Sequence, residues 1–274
     1  MAPKRRVQAY VLCLSREGDV SRPPKGWVLI PIFLLVVPVT MGPTASATTV
    51  LVYLSRDSAV VATDSKANRI GGGTLEVCKI FPVQSKMVFA TTGISHFDDP
   101  PFDPYEIART VASRVADPVG SASRYAIEAI GPLQNIWNRI RTAYLELGRA
   151  NGIMTGVPGF SFIFVGMGDA DRIIAAGGNF RERPLSIWLY STPFVLEPTA
   201  ESDGYVWAAG VVSALPGYKY IKQLIKEQGA PATLEQLIEK QAKATPNLVG
   251  LPVAILTIKR DGNIEWNSRG ACSP

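Results

Sequence analysis

Apolar residues recur along this chain with two different periods, and the changes between them divide it into blocks. Thr49–Leu54 and Ser58–Thr63 are apolar and β-branched, and the polar Ser55-Arg56-Asp57 between them predicts a hairpin. Thr74–Phe81 and Met87–Thr92 predict two further strands around a polar turn at Gln84-Ser85-Lys86. Gly71-Gly72-Gly73 marks a turn or a bulge before them. The period then lengthens. Ile107, Val111 and Val115 predict a helix over Asp103–Val115, with Asp103-Pro104 as N-cap and first position and Asp117-Pro118 as its end. Tyr125, Ile127, Ile130, Leu133, Ile136, Trp137, Ile140, Tyr144 and Leu147 form one amphipathic stripe. That stripe predicts a long second helix over Ser121–Ala150, stopped at Asn151-Gly152.

A second strand block is predicted at Ser161–Val165, Arg172–Ala176, Ser186–Leu189 and Val206–Gly210, and further helices at Lys219–Glu227 and Thr233–Ala244. The last two strands, Pro252–Lys259 and Asn263–Asn267, flank Asp261-Gly262, a strong hairpin signal. Strands, two helices, strands, two helices, strands is an α+β pattern. It predicts a four-layer αββα sandwich, with two antiparallel sheets face to face and helix pairs outside.

The apolar run Trp27–Met41 stands apart from this pattern. Arg22 and Lys25 precede it, the small-x-small triplet Ala45-Ser46-Ala47 follows it, and no charge occurs from Trp27 through Tyr53. Basic region, apolar region and small-residue cut site are the three parts of a signal peptide. A membrane-spanning helix needs about 20 apolar residues, and Pro31 and Pro38 interrupt this run. The expectation is a cleaved leader over residues 1–47 and one domain over residues 48–274, secreted or periplasmic, touching membrane only transiently through the leader. The competing readings are an uncleaved membrane anchor and a cytoplasmic pro-segment. The region before Arg22 is long for a leader's basic segment, and Lys4-Arg5-Arg6 lies too far upstream for twin-arginine export.

Charge and cysteine content then remove several functions. Of the net +5, the leader carries most: Lys4, Arg5, Arg6, Arg16, Arg22 and Lys25 against Glu17 and Asp19. The remaining chain is close to neutral and has no basic stripe with aromatic interleaving, so nucleic acid is not an expected partner. One histidine and no Cys/His cluster leave zinc without a ligand set, and nothing in the pattern calls for a cofactor. Cys13 leaves with the leader; Cys78 and Cys272 remain, able to pair in an oxidising compartment.

A nucleophilic hydroxyl in most hydrolases gives its proton to a histidine. The lone His96, beside Asp98-Asp99 in a predicted loop, is a poor candidate, and no G-x-S-x-G elbow occurs. Cleavage after Ala47 offers another route, because it would make Thr48 the N-terminus. An α-amine titrates near 7.7–8.0 and can take the proton of its own residue's hydroxyl. Such a threonine still needs a cation, a carboxylate to hold that cation, and an oxyanion donor. Asp64 at a strand end, Lys79 within a predicted strand and Gly93 after the next strand are the candidates. Each has an ordinary structural explanation as a turn cap, a solvated strand residue or a turn glycine.

Thr48-Thr49-Val50, Val60-Val61-Ala62-Thr63-Asp64-Ser65-Lys66-Ala67, Cys78-Lys79-Ile80-Phe81 and Ala90-Thr91-Thr92-Gly93 together resemble the N-terminal half of a proteasome β-type subunit, whose architecture the bacterial HslV peptidase shares. The resemblance is specific from Thr48 to about Ile94 and weaker beyond. It implies an N-terminal nucleophile hydrolase. Thr48 would be the nucleophile, Asp64 and Lys79 its support, and the Gly93 amide the oxyanion donor; the substrate would be a peptide or a small amide. It also implies lateral assembly into a homo-oligomer.

Three departures qualify it. Active members carry an aspartate and a serine just before the glycine that opens the late core strand. Here that segment reads Thr245-Pro246-Asn247-Leu248-Val249-Gly250, and the small-residue turn Gly210-Val211-Val212-Ser213 has its serine displaced. Ala47 also replaces the glycine after which such subunits cut themselves, which favours signal peptidase as the processing agent. The expectation is an exported threonine hydrolase working through an acyl-enzyme. Its alternative is an inactive proteasome-like scaffold or assembly subunit.

Overall fold

The computed structural model describes residues 44–46, 48–69, 73–98, 101–150, 160–183, 186–199 and 204–272. Among them the chain is mixed α+β, with four α-helices and antiparallel sheets, an arrangement compatible with a sandwich.

Strands β1 (Thr44–Ser46), β2 (Thr49–Leu54), β3 (Ser58–Thr63), β4 (Lys66–Arg69) and β5 (Thr74–Glu76) come first. They are followed by β6 (Ile80–Gln84), β7 (Met87–Thr91), β8 (Gly93–Asp98) and β9 (Pro101–Phe102). Helices α1 (Pro104–Ala112) and α2 (Pro118–Ala150) lead to β10 (Phe160–Met167), β11 (Ile173–Glu182), β12 (Leu189–Leu196) and β13 (Tyr205–Gly210). Helices α3 (Tyr218–Gln228) and α4 (Ala230–Ala244) precede β14 (Ala254–Lys259) and β15 (Ile264–Ser268).

One sheet runs β13-β2-β3-β14-β15 and a second β12-β11-β10-β7-β6. Residues alternate between two environments along β2 and β3, as a period of two requires. Val50, Val52, Leu54, Ala59 and Val61 share a core with Val88, Ala90, Ile163 and Val165 of the second sheet. Leu51, Val60 and Ala62 face the other way, against Ile221 and Ile225 of α3 and Leu234, Leu237 and Ile238 of α4. The second sheet's other face packs Phe89, Phe162, Phe164 and Phe180 against Tyr105 of α1 and Tyr125, Leu133, Ile136 and Trp137 of α2. Full burial of side chains of this size is worth roughly 1.5–3 kcal/mol each.

Several boundaries differ from expectation for identifiable reasons. Asp117-Pro118 opens α2 rather than closing α1: the Asp117 carboxylate accepts the Gly120 N–H at 2.8 Å, and Pro118 is the helix's first residue. Ile127 points away from the buried stripe and is 68% exposed. The stop at Asn151-Gly152 lies outside the described residues. The predicted strand at Ser186–Leu189 instead begins at Leu189 and runs to Leu196 through Pro193. Pro193 on β12 and Pro82 on β6 both lie on edge strands, which tolerate proline because half of their N–H groups face away from the sheet.

The expected single strand Thr74–Phe81 is two strands in two different sheets. β5 pairs with β4, while β6 pairs with β7, and the chain crosses between sheets at Val77-Cys78-Lys79. Lys79 is therefore not within a strand. His96 lies on β8 rather than in a loop.

A third sheet has the order β5-β4-β1-β8-β9, with β1 antiparallel to both neighbours. Thr44 lies opposite Arg69 and His96, and Ser46 lies opposite Gly93. The segment just before Thr48 is thus the middle strand of a sheet.

Candidate functional site

The site forms where β2 begins and β3 ends. Pairing in the hairpin sets Val50 opposite Thr63, which brings Asp64 alongside Thr49. The Thr49 N–H donates to Asp64 Oδ1 at 2.8 Å, and the Asp64 N–H donates back to the Thr49 carbonyl at 3.3 Å. Asp64 Oδ2 accepts the Lys66 N–H at 3.0 Å and the Gly250 N–H at 3.3 Å. Gly250 is the glycine before the late core strand, so the carboxylate joins the start of the chain's fold to its last third.

Lys79 arrives from the sheet crossing. Its Nζ lies 3.2 Å from both Asp64 oxygens and donates to the Lys66 carbonyl at 2.5 Å. Lys79 is 1% exposed and Asp64 is fully buried. Charged groups at such depth persist only when paired and hydrogen-bonded. Burial lowers the Lys79 ammonium below its ordinary range, against the pull of Asp64. Burial likewise raises the Asp64 carboxyl, opposed by Lys79 and by the Thr49 and Gly250 amides. Lys79 is thus a lysine whose proton is loosened by its surroundings, not a solvated strand residue.

Thr48 is buried and its carbonyl is gripped by the turn after β13, where the Val211 N–H donates to it at 2.8 Å. The Thr49 hydroxyl donates to the Val211 carbonyl at 2.6 Å. This close approach dictates the residue before Val211. Gly210 has φ +87°, and a Cβ there would sit 1.6 Å from the Thr48 carbonyl oxygen. Gly93 opens β8 with φ +94° and is buried; its register with Ser46 sets it beside the chain two residues before Thr48. Thr92 braces it, its N–H donating to the Ser161 carbonyl at 2.8 Å and its hydroxyl accepting the Ser161 N–H at 3.0 Å.

All four candidates, Thr48, Asp64, Lys79 and Gly93, therefore converge. Asp64 and Lys79 touch directly, Thr48 is tied to them through Thr49, and Gly93 is tied through β1. Sequence reasoning missed the residues that hold this cluster from outside. Lys66 Nζ donates to the Pro246 carbonyl at 2.5 Å, docking the Thr245–Gly250 segment on the site. Gln241 hydrogen-bonds to the turn that carries Val211. The pairing of Cys78 with Cys272, open from sequence, is a disulfide in the structure, anchored at the residue before Lys79. A lysine two residues after a buried aspartate was a visible signal; a glutamine inside an amphipathic helix was not.

A cleft of about 490 Å³ lies at the far ends of β2 and β3, against Arg56, Asp57, Arg172, Glu197 and Arg260. Four of its charged residues form two solvent-exposed pairs, Arg172 with Glu197 and Arg260 with Asp57, and it contains none of the four candidates. Among the described residues, no group of three His, Cys, Asp or Glu is placed to hold a metal, and no helix is long and apolar enough to cross a membrane.

No protein-family model matches the chain, and no curated protein is significantly similar to it.

Proposed function

We propose that the chain is an exported N-terminal threonine hydrolase of the proteasome β type, with a four-layer αββα arrangement. In this reading Thr48 becomes the nucleophile once the Ala47–Thr48 bond is cut. The observation that carries the reading is the buried Lys79–Asp64 pair fastened to the Thr49 amide. A buried ion pair adds little stability over an apolar pair of the same volume. Its position beneath a chain start flanked by a peptidase cut site is what makes it informative.

In the reaction, Thr48 Oγ1 attacks the substrate carbonyl carbon and its own α-amine accepts the hydroxyl proton. Lys79, held by Asp64, stabilises the developing alkoxide, and the Gly93 N–H donates to the oxyanion. The amine returns the proton to the leaving nitrogen as the C–N bond breaks, leaving an ester on Thr48. Water then attacks that ester, with the amine again as base, and releases the acid. Until cleavage Thr48 has an amide rather than an amine, so the precursor is inert.

The placement of β1 favours an extended peptide over a small amide as substrate. Processing removes Thr44–Ser46 from between β4 and β8, and two strand edges then face a gap one strand wide. Such a gap recognises extended backbone by strand addition. The three cores described above support the αββα layering. The disulfide supports an oxidising compartment, and so the secreted or periplasmic location.

The scaffold reading keeps one specific observation. Thr245–Gly250 offers the site main-chain groups, the Pro246 carbonyl and the Gly250 N–H, where active relatives of the resembled family place an acid and a serine. The two readings separate on one experiment. The exported chain is analysed by intact mass for a Thr48 N-terminus and treated with a β-lactone or epoxyketone. Labelling is expected on Thr48 and absent in Thr48→Ala; persistent labelling of that variant would sink the assignment. A Thr48 N-terminus with no labelling at all leaves the scaffold.

A further inference from the structure

Gln241 is fully buried in α4, and its side-chain amide is committed at both ends. Its Oε1 accepts the Ala214 N–H at 2.8 Å. Its Nε2 donates to Thr245 Oγ1 at 2.9 Å and to Ser213 Oγ at 3.3 Å. Its main-chain carbonyl accepts the Thr245 N–H at 2.8 Å and the Thr245 hydroxyl at 3.0 Å. The side chain thus bridges the C-terminal cap of α4 to the turn that follows β13.

That turn is the one that grips the start of β2. Two residues before Ser213, Val211 donates its N–H to the Thr48 carbonyl and accepts the Thr49 hydroxyl. Gly210 lets the turn approach the Thr48 carbonyl more closely than any side chain would allow. Once the Ala47–Thr48 bond is cut, Thr48 has lost its upstream chain. The bonds from its carbonyl and from Thr49 then help to hold its α-carbon, and two of them end on Val211. An error in the turn becomes an error in the direction of the Thr48 hydroxyl.

We propose that Gln241 is a positioning residue for the Thr48 nucleophile, acting through the Val211–Ala214 turn. This inference rests on the reading of Thr48 as the attacking group. It gives the divergent outer shell a definite chemistry: a neutral amide from α4 fixes the turn by donating and accepting at once, as a glutamine can. The turn is thereby fixed by neutral groups, without a further carboxylate.

The test is the inactivation kinetics of the processed chain with the same β-lactone, separated into kinact and KI. Gln241→Met conserves volume and removes every polar contact of the side chain. Misplacing a reacting group by an ångström costs about 100-fold, so kinact is expected to fall about 10- to 100-fold with KI unchanged and the melting transition still cooperative. Gln241→Glu keeps the length and the acceptor for Ala214, and its carboxyl, kept neutral by burial, can donate where the amide did, so it is expected to restore most of kinact. An unchanged kinact in Gln241→Met, or a rise in KI alone, overturns the proposal. If Gln241→Met does not fold, Gln241→Glu is compared with Gln241→Asn, which is one methylene too short to span both partners. Slow inactivation in Asn alone supports positioning, and equal rates overturn it. Failure of the wild-type processed chain to label is a different result, because it removes the threonine reading itself.

Discussion

The Thr49 amide donates to Asp64 Oδ1 at 2.8 Å, so the residue after the proposed nucleophile is fastened to the carboxylate that holds Lys79. Placement of the threonine and pairing of the lysine therefore share one carboxylate. Removing that carboxylate disturbs both, which makes the cluster testable by variants that separate stability from chemistry.

Removing one member of the pair leaves the other buried and uncompensated. Lys79→Met and Asp64→Asn are each expected to lower unfolding free energy by about 3–5 kcal/mol and to abolish labelling. The combined variant is expected to recover part of the stability, since no charge is then stranded, while labelling stays absent. Urea denaturation and the inhibitor assay read the two effects independently.

Gly210→Ala places a methyl group against the Thr48 carbonyl and forces a side chain onto a backbone with φ +87°. Strain and overpacking together should cost about 2–5 kcal/mol. Gly73→Ala has a similar φ of +91° but nothing within 4 Å of the new methyl group. It should cost only the conformational part, about 1–2 kcal/mol. The difference between the two melting temperatures measures the contact with Thr48.

The Cys78–Cys272 disulfide spans 194 positions. Reduction, or Cys78→Ser with Cys272→Ser, should lower stability by about 2–5 kcal/mol. Because Cys78 adjoins Lys79, reduced protein held well below its melting temperature should also label more slowly. Thiol titration under denaturing conditions is expected to find no free thiol in the processed chain before reduction.

Glu182 supplies a pH-dependent contribution away from the site. Burial would raise its carboxyl, but hydrogen bonds from Arg141 and the Trp137 indole, with the Arg141 charge, bring it below its usual value of 4.5. The folded form therefore binds its proton less readily than the unfolded form does. The contribution is complete above the unfolded value and is lost as pH falls through the folded one. Melting temperature should fall on acidification below about 4.5, and Glu182→Gln should flatten that fall.

Much of the fold was legible because burial imposes a period. The β2–β3 hairpin carries its expected bounds, Thr49–Leu54 and Ser58–Thr63, and α2 buries most of its apolar stripe, whereas α1 ends at Ala112 and leaves Val115 outside the helix. Lys66–Arg69 and Gly93–Asp98 escaped notice because their strand partner is Thr44–Ser46, a pairing that no local pattern records. Leu189–Leu196 escaped because a proline inside a run argues against a strand unless the run lies at an edge, and edges exist only in the assembled sheet.

The candidate site divides in the same way. Residue types and spacing along one continuous stretch singled out Thr48, Asp64, Lys79 and Gly93, since a threonine nucleophile needs a carboxylate, a cation and an N–H donor and candidates for these follow in that order. The tertiary structure decided everything that joins distant segments. It made Lys79 a buried residue at a sheet crossing and joined Cys78 to Cys272. It brought Gly250 and Gln241 to the site from the last third of the chain. Hydrophobic periodicity and residue chemistry are written locally, whereas hydrogen bonds between segments up to 186 positions apart exist only once the sheets and helices have packed.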